Sequence, residues 1–214
     1  MKKLTILLLV LMHGLLFSEE ILKYNGQEIL LHDDFTWEYK SPEIEENGNI
    51  LVLRKNDTQV NTITNGKNAY LLNYDPTIWI HNEITDPPKE FYLVGTNKIS
   101  YAMTIYEVEN YPLDVLQDVI IINAKNAGAD VTILSVQDAE VNNTIGKLIQ
   151  YKVNLQNMDL SFITFATSGT FGTIQYTIFT FTNYYNTAFQ TILASIGGIE
   201  VNNKLVVSDN EEDN

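Results

Sequence analysis

Between Ile145 and Met158 the chain reads IGKLIQYKVNLQNM, and at its centre Ile149, Tyr151, Val153 and Leu155 alternate with Gln150, Lys152, Asn154 and Gln156. A period of two sends successive side chains to opposite faces, so the stretch is predicted to be a strand with one face buried and one wet. A half-buried strand needs partners and a cover. The composition supplies them: twelve Tyr, nine Phe and many Thr, Ile and Val suit a pleated surface better than a helix.

Other stretches carry the same signal. ILVLR (50–54), TQVNTIT (58–64), AYLLNYD (69–75), EFYLVGT (90–96) and KISYAMTIYEV (98–108) read as strands, with Asn65 and Gly66 turning the chain between the second and third. In the last of these Ile99, Tyr101, Met103 and Ile105 share a face. PTIWIHNEITDPP (76–88) contains three prolines and is expected to be a loop that packs through Trp79. DVTILSVQDAEV (130–141), LSFITFATS (160–168) and FGTIQYTIFTFTN (171–183) continue the strand series, the last two meeting at Ser168 and Gly169. Large residues in both parities of that pair predict cover on both faces.

Two segments break the period. YPLDVLQDVIIINAKNAG (111–128) has Pro112 and Asp114 in its first turn and Gly128 at its stop, which predicts a helix. Val115, Leu116, Val119, Ile120, Ile122 and Ala127 form its wide apolar face, fit to lie on a sheet. YYNTAFQTILASI (184–196) is expected to be a second helix, capped by Asn183, ended by Gly197 and Gly198, and striped by Tyr185, Phe189, Ile192 and Ile196. GIEV or KLVV then offers a closing strand, and residues 208–214 form an acidic tail without apolar content. An all-β barrel, in which 112–127 is not helical, is the competing architecture.

The order from Tyr70 onward is strands, helix, about four strands, helix. With NYDPTIW (73–79), a strand followed by a Pro-x-x-Trp element, and NYYNTAFQTILASIGGIEV (183–201), a closing helix, it resembles the PsbP-like fold over about residues 70–201. That fold is shared by extrinsic PsbP subunits of photosystem II, a Ran-binding nuclear import factor and many exported bacterial proteins. The resemblance implies an α+β domain, an antiparallel β-sheet flanked by two main helices. It also implies binding or assembly rather than catalysis.

The N-terminal region has its own pattern. MKKLTILLLVLMHGLLFS places Lys2 and Lys3 before an apolar run from Leu4 to Phe17, too short for a bilayer span, with Ser18 and two acids after it. This is the order of a signal peptide over residues 1–18, cleaved between Ser18 and Glu19. The protein is therefore expected to be exported, periplasmic or extracellular, with no integral span after cleavage. It has no Cys, so it is not a lipoprotein, and it lacks disulfides, thiol nucleophiles and thiolate metal sites.

Residues 19–49 are expected to hold a small β-hairpin and an acidic linker, SPEIEENGN (41–49), ahead of a main domain at 50–207. In ILLHDDFTWEY (29–39), apolar and polar residues alternate on both sides of Asp33 and Asp34, which suit a turn. The stretch resembles the DDGTW hairpin of various exported bacterial proteins, with Phe35 standing where that pattern has Gly.

Charge narrows the partners. The net charge is −14, and losing residues 1–18 removes Lys2 and Lys3 and no acid, leaving 11 basic against 27 acidic side chains. Phosphate backbones and anionic headgroups are repelled by such a surface, so no nucleic acid partner is expected, and an exported or envelope protein is the expected partner.

Chemistry is sparse. Of three histidines His13 leaves with the signal; His32 sits beside Asp33 and Asp34 in the expected turn, and His81 has Glu83 at the same parity. Ser168 and Ser195 stand at a hairpin turn and a helix end, outside any G-x-S-x-G pattern. SGTFGT (168–173) lacks the Lys and following helix of a phosphate loop and reads as a turn with a bulge. NDT (56–58) and NNT (142–144) match the glycosylation pattern. The sequence accordingly predicts no catalytic, cofactor-binding or metal-ligating residues, no cofactor and no enzymatic activity. The one set with binding character is aromatic: Trp37, Trp79, Tyr92, Tyr101, Tyr106, Tyr111, Tyr184 and Tyr185 could line a groove. A small-ligand (lipid, sugar or peptide) carrier, or a hydrolase with scattered site residues, is the alternative to a protein-binding domain.

Overall fold

The computed structural model describes residues 50–82, 89–126 and 130–202, together with the backbone of three short strands before them. The chain divides into two compact units, Met1–Ser41 and Pro42–Asn214. In the first, β1 (Glu20–Tyr24), β2 (Gln27–Leu31) and β3 (Trp37–Tyr39) form an antiparallel sheet in which Ile29 faces Tyr39 and Leu31 faces Trp37. The strand β1 adds to what the alternation around the Asp pair predicts. Asn25 and Gly26, which stand between β1 and β2, are the sequence signal that announces it. The turn with His32, Asp33 and Asp34, the signal segment with Ser18 and Glu19, the linker and the acidic tail lie outside the described residues.

In the second unit the elements are β4 (Leu51–Leu53), β5 (Asn61–Thr64), β6 (Tyr70–Tyr74), β7 (Trp79–Asn82), β8 (Lys89–Gly95), β9 (Ser100–Glu107), α1 (Leu113–Asn126), β10 (Asp130–Val141), β11 (Thr144–Leu155), β12 (Met158–Gly169), β13 (Gly172–Phe181), a 3-10 turn at Thr182–Tyr184, α2 (Tyr185–Ile196) and β14 (Ile199–Val201). Eight strands form one sheet in the order β4-β10-β11-β12-β13-β9-β8-β7. Every pair is antiparallel except β4 with β10, which is parallel over Leu51–Leu53 and Ala139–Val141. A second sheet, β14-β6-β5, is antiparallel throughout.

The large sheet is covered on both faces. On one, α2 and the second sheet enclose the main core, in which Tyr70, Leu72, Trp79, Leu148, Phe165, Tyr176, Ile192 and Ile196 are buried. On the other, α1 packs across β10, β11 and β12 and buries Leu116, Ile120 and Ile121 against Ile149, Tyr151, Val153 and Ala166. The helix Leu113–Asn126 overturns the all-β barrel.

Several expectations need correction. Residues 79–82 are not loop: they form the edge strand β7, with Trp79 opposite Gly95 and His81 opposite Leu93. The prolines at 76, 87 and 88 flank these four residues, and proline restricts only itself and the residue before it. Trp79 is buried as expected, at 2% exposure. In α1 the inward face is turned from the one predicted: Ile121 is buried, whereas Val115 and Ile122 are exposed. In β11 the predicted alternation holds for Ile149, Tyr151 and Val153, buried under α1, against exposed Lys152, Asn154 and Gln156, but Leu148 enters the main core and Gln150 is half-buried, so the other face is wet only toward the end of the strand.

Asn183 does not cap α2. It lies within the 3-10 turn, and the cap residue is Tyr184, with no side-chain hydrogen bond. Nor do Gly197 and Gly198 end the helix through a left-handed cap, because Gly197 has φ −57°. They are there for space: a Cβ on Gly198 would stand 2.0 Å from the Asn73 carbonyl oxygen, and one on Gly197 2.3 Å from that of Arg54. The chain leaves α2 in close contact with the second sheet, and GIEV pairs with β6 as β14.

Candidate functional site

Cross-strand register assembles an aromatic row on the face that carries α1. Tyr151 stands opposite Phe162, Phe162 opposite Phe179, and Phe179 opposite Tyr101. Tyr92, two residues from the Val94 that faces Tyr101, extends the row onto β8. The rings stack in series: 5.0 Å between Tyr151 and Phe162, 4.8 Å between Phe162 and Phe179, 5.3 Å between Phe179 and Tyr101, and 6.1 Å between Tyr101 and Tyr92, with planes 14–22° apart. Facing pairs of this kind contribute roughly 0.2–1 kcal/mol each to a sheet, so the row stiffens five strands.

Cover is greatest at the Tyr151 end of the row, where Phe162 also packs against the residues beneath α1. Tyr151 is buried beneath α1, and that burial pushes its phenol up to about 12, against a weak opposing bond with Thr164. Phe162, Phe179, Tyr101 and Tyr92 are half-buried, as are Val94, Met103 and Ile105 on the same face. Burial, with a smaller effect of Tyr101, raises the Tyr92 phenol above its usual value. Helix α1 packs on β10, β11 and β12, and on β13 the same face is buried at Thr173, Gln175 and Thr177, so the half-buried part of the face is the one built by Phe179 with β9 and β8. At its far end Glu107 is held above the usual carboxylate range by burial and by neighbouring Glu109. The result is a surface of half-buried aromatic rings.

The groove residues expected from sequence separate in the fold. Tyr92 and Tyr101 share the half-buried face. Trp79, Tyr106 and Tyr185 belong to the main core, their polar ends spent on Ser195 Oγ (2.9 Å), the Phe171 carbonyl (3.1 Å) and Gln150 Oε1 (2.8 Å). Tyr111 packs beside α1, Tyr184 is 43% exposed, and for Trp37 the structure describes the backbone of β3 alone. Phe162 and Phe179 escaped the sequence reading. Each sits at a parity that matches Tyr151, a signal visible only once the hairpin registers are known.

The residues that suggested chemistry are occupied structurally. Ser195 Oγ donates to the Thr191 carbonyl at 2.8 Å and receives the Trp79 indole N–H. Ser168 Oγ donates to Asn110 Oδ1 at 2.6 Å beside Thr173, in a hairpin that continues without register shift to Gly169 and Gly172. There is accordingly no bulge in SGTFGT, although Gly172 does adopt φ +98°. His81 is exposed on the edge strand with its ring edge-on to Phe91, and Glu83 lies outside the described residues. In NNT, Asn142 spends its amide on the carbonyls of Gly197 (2.7 Å) and Ile199 (2.8 Å) and accepts from the Lys55 N–H, while Asn56 of NDT caps Thr58.

One buried polar cluster was not foreseen. Glu90 Oε2 accepts from Tyr70 OH at 2.7 Å and from Asn65 Nδ2 at 2.5 Å, and the Tyr70 hydroxyl also contacts Thr104 Oγ1 at 2.8 Å. Burial raises the Tyr70 phenol far above its ordinary value, with Thr104 opposing and Glu90 adding to the shift. Tyr70 has no exposed surface, so the cluster tethers the second sheet to the large one rather than meeting a substrate. A cleft of about 320 Å³ opens elsewhere, between Asp130, Lys152, Asn154, Asp159 and Thr182. Among the described residues no three His, Asp or Glu side chains are arranged to hold a metal, and no helix is long and apolar enough to cross a membrane.

A large antiparallel sheet with a helix on each face and a small second sheet packed beneath one of them defines the molecule as an α+β domain. Its fold is PsbP-like. The solution structure of cyanobacterial PsbP (CyanoP) from Synechocystis sp. PCC 6803 matches it with a TM-score of 0.50 over 69% of this chain and 95% of that one, at 13% identity. A protein from Bacteroides thetaiotaomicron matches at TM-score 0.42 and 10% identity, over 67% of this chain and 49% of that one. A protein of unknown function from Pseudomonas aeruginosa matches at 0.35 and 8%, over 83% and 94%. No family model and no curated protein matches the sequence.

Proposed function

We propose that the chain is an exported, non-enzymatic binding or assembly domain that acts through protein–protein contacts, with an exported or envelope protein as its partner. The observation that carries this reading is the half-buried aromatic row formed by Tyr92, Tyr101, Phe179 and Phe162. Tyr and Phe are enriched at the core of protein interfaces. The PsbP-like fold supports the same reading, because proteins of that fold mostly act by binding or assembly. The order Lys2, Lys3, apolar run, Ser18 supports export.

The test is a photo-crosslinking residue placed at Met103, on the same face as the row, and in a second strain at Val60, which is 67% exposed on a different part of the surface. In intact cells one dominant exported or envelope protein is expected from position 103 and not from position 60. Enzymatic turnover abolished by a single side-chain change would count decisively against the proposal and favour a hydrolase.

A further inference from the structure

Where the second sheet meets the chain after β4, three side chains of complementary reactivity come together. Lys55 Nζ donates to Asn73 Oδ1 at 3.2 Å, and Asn73 Nδ2 donates to Glu200 Oε1 at 2.9 Å. The same Glu200 oxygen lies 3.7 Å from Lys55 Nζ. One carboxylate oxygen thus faces both the amine and the amide nitrogen.

The surroundings hold the amide in place and polarise it. Asn73, on β6, is 2% exposed; its Oδ1 also accepts from the Thr62 hydroxyl at 2.7 Å, and its Nδ2 also donates to the Gly198 carbonyl at 3.0 Å. Two donors on the carbonyl oxygen stabilise the negative charge that develops there when a nucleophile adds to the carbon. Lys55 is fixed at its backbone, where its N–H donates to Asn142 Oδ1 at 3.0 Å. Its flexible side chain is free to swing Nζ from the amide oxygen to the adjoining carbon. Holding amine and amide carbon side by side replaces a bimolecular encounter with an intramolecular one. As an ion pair, Lys55 and Glu200 contribute little to stability, because their side chains are 40% and 41% exposed. What their placement supplies is a nucleophile and a proton carrier at one amide.

We infer that Lys55 and Asn73 are the partners of an intramolecular isopeptide bond, with Glu200 carrying the proton. The neutral Lys55 amine adds to Asn73 Cγ; the Nζ–Cγ bond forms, the Cγ–Nδ2 bond breaks, and ammonia leaves. One proton passes from Nζ to Nδ2 by way of Glu200, and no oxidant, reductant or further reactant is consumed. The chain reacts once with itself, so the step stands or falls apart from the binding role of the aromatic row. The bond ties the segment after β4 to β6 across 18 residues of sequence, a covalent link that a chain without Cys cannot obtain from a disulfide.

The test is the intact mass of the freshly purified full chain, before and after several days at about pH 9, where more of a lysine amine is neutral. A species lighter by one ammonia is expected, and its digest is expected to contain a branched peptide that joins Lys55 to Asn73. Lys55→Arg keeps the charge and is expected to stay at its full mass, whereas Glu200→Gln is expected to form the bond at least about tenfold more slowly. Both substitutions fall on partly exposed side chains, so both variants are expected to fold, and thermal melts verify this. Wild type that stays at its full mass throughout would overturn the proposal. So would a loss of ammonia that persists in Lys55→Arg, because it would assign the reaction to succinimide formation at an asparagine. Equal rates for wild type and Glu200→Gln would remove Glu200 from the proton path and overturn the mechanism.

Discussion

Ser195, Asn142 and Asp75 each have the polar character of a site residue, and each is consumed structurally, the first two by partners far away in the sequence. Ser195 serves the Trp79 indole, Asn142 holds two carbonyls after α2, and Asp75 organises the turn after β6. The Asp75 carboxylate, 7% exposed, receives the Thr77 N–H at 2.8 Å and the Thr77 hydroxyl at 2.6 Å. Burial acts to raise its pKa, but the hydrogen bonds from Thr77, Thr58 and Ile78 outweigh it and hold the group below the ordinary range. A depressed carboxyl stabilises the fold above its unfolded pKa, near 4, and that stabilisation is lost as pH falls through the folded value. Asp75→Asn is therefore expected to lower stability by about 1 kcal/mol at pH 7, with the difference from wild type closing below about pH 4. Urea unfolding at pH 7, 5 and 3 checks this, and a difference that stays constant with pH would contradict it.

At the scale of elements, the strong periodic signals in the sequence correspond to real strands and helices, and the faces are where reading falters. The run Val119, Ile120, Ile121, Ile122 offers four apolar residues to a helix that can bury only some of them. Packing on β10, β11 and β12 selects Ile120 and Ile121 together with Leu116, while Ile122 is 54% exposed. Ile121→Ala should cost about 2–4 kcal/mol in chemical denaturation, and Ile122→Ala less than about 1. Equal losses would mean that the helix buries a different face. The aromatic row follows the same logic. Tyr151 belongs to the cleanest alternation in the chain, yet its alignment with Phe162, Phe179 and Tyr101 comes from the hairpin registers, and a one-residue slip would scatter it.

For the molecule as a whole, the eight-stranded sheet joins strands distant in sequence: β13 pairs with β9, and β4 with β10. The main core is thus closed only when 51–53, 69–82, 91–106 and 139–199 are all in place. Residues 50–207 produced alone are expected to unfold in one cooperative transition within about 3 °C of the full chain, as seen by calorimetry. A broad or strongly lowered transition would show that the N-terminal unit contributes to the main domain. By itself the sequence determined the strand-rich α+β composition, the two helices, the burial of Trp79 and the PsbP-like element order, because period and propensity act between residues close in the chain. Sheet order, the parallel β4, the inward side of α1 and the aromatic face were decided by tertiary structure alone. Each depends on which distant strand lies alongside, and that choice is made by the packing of the whole core.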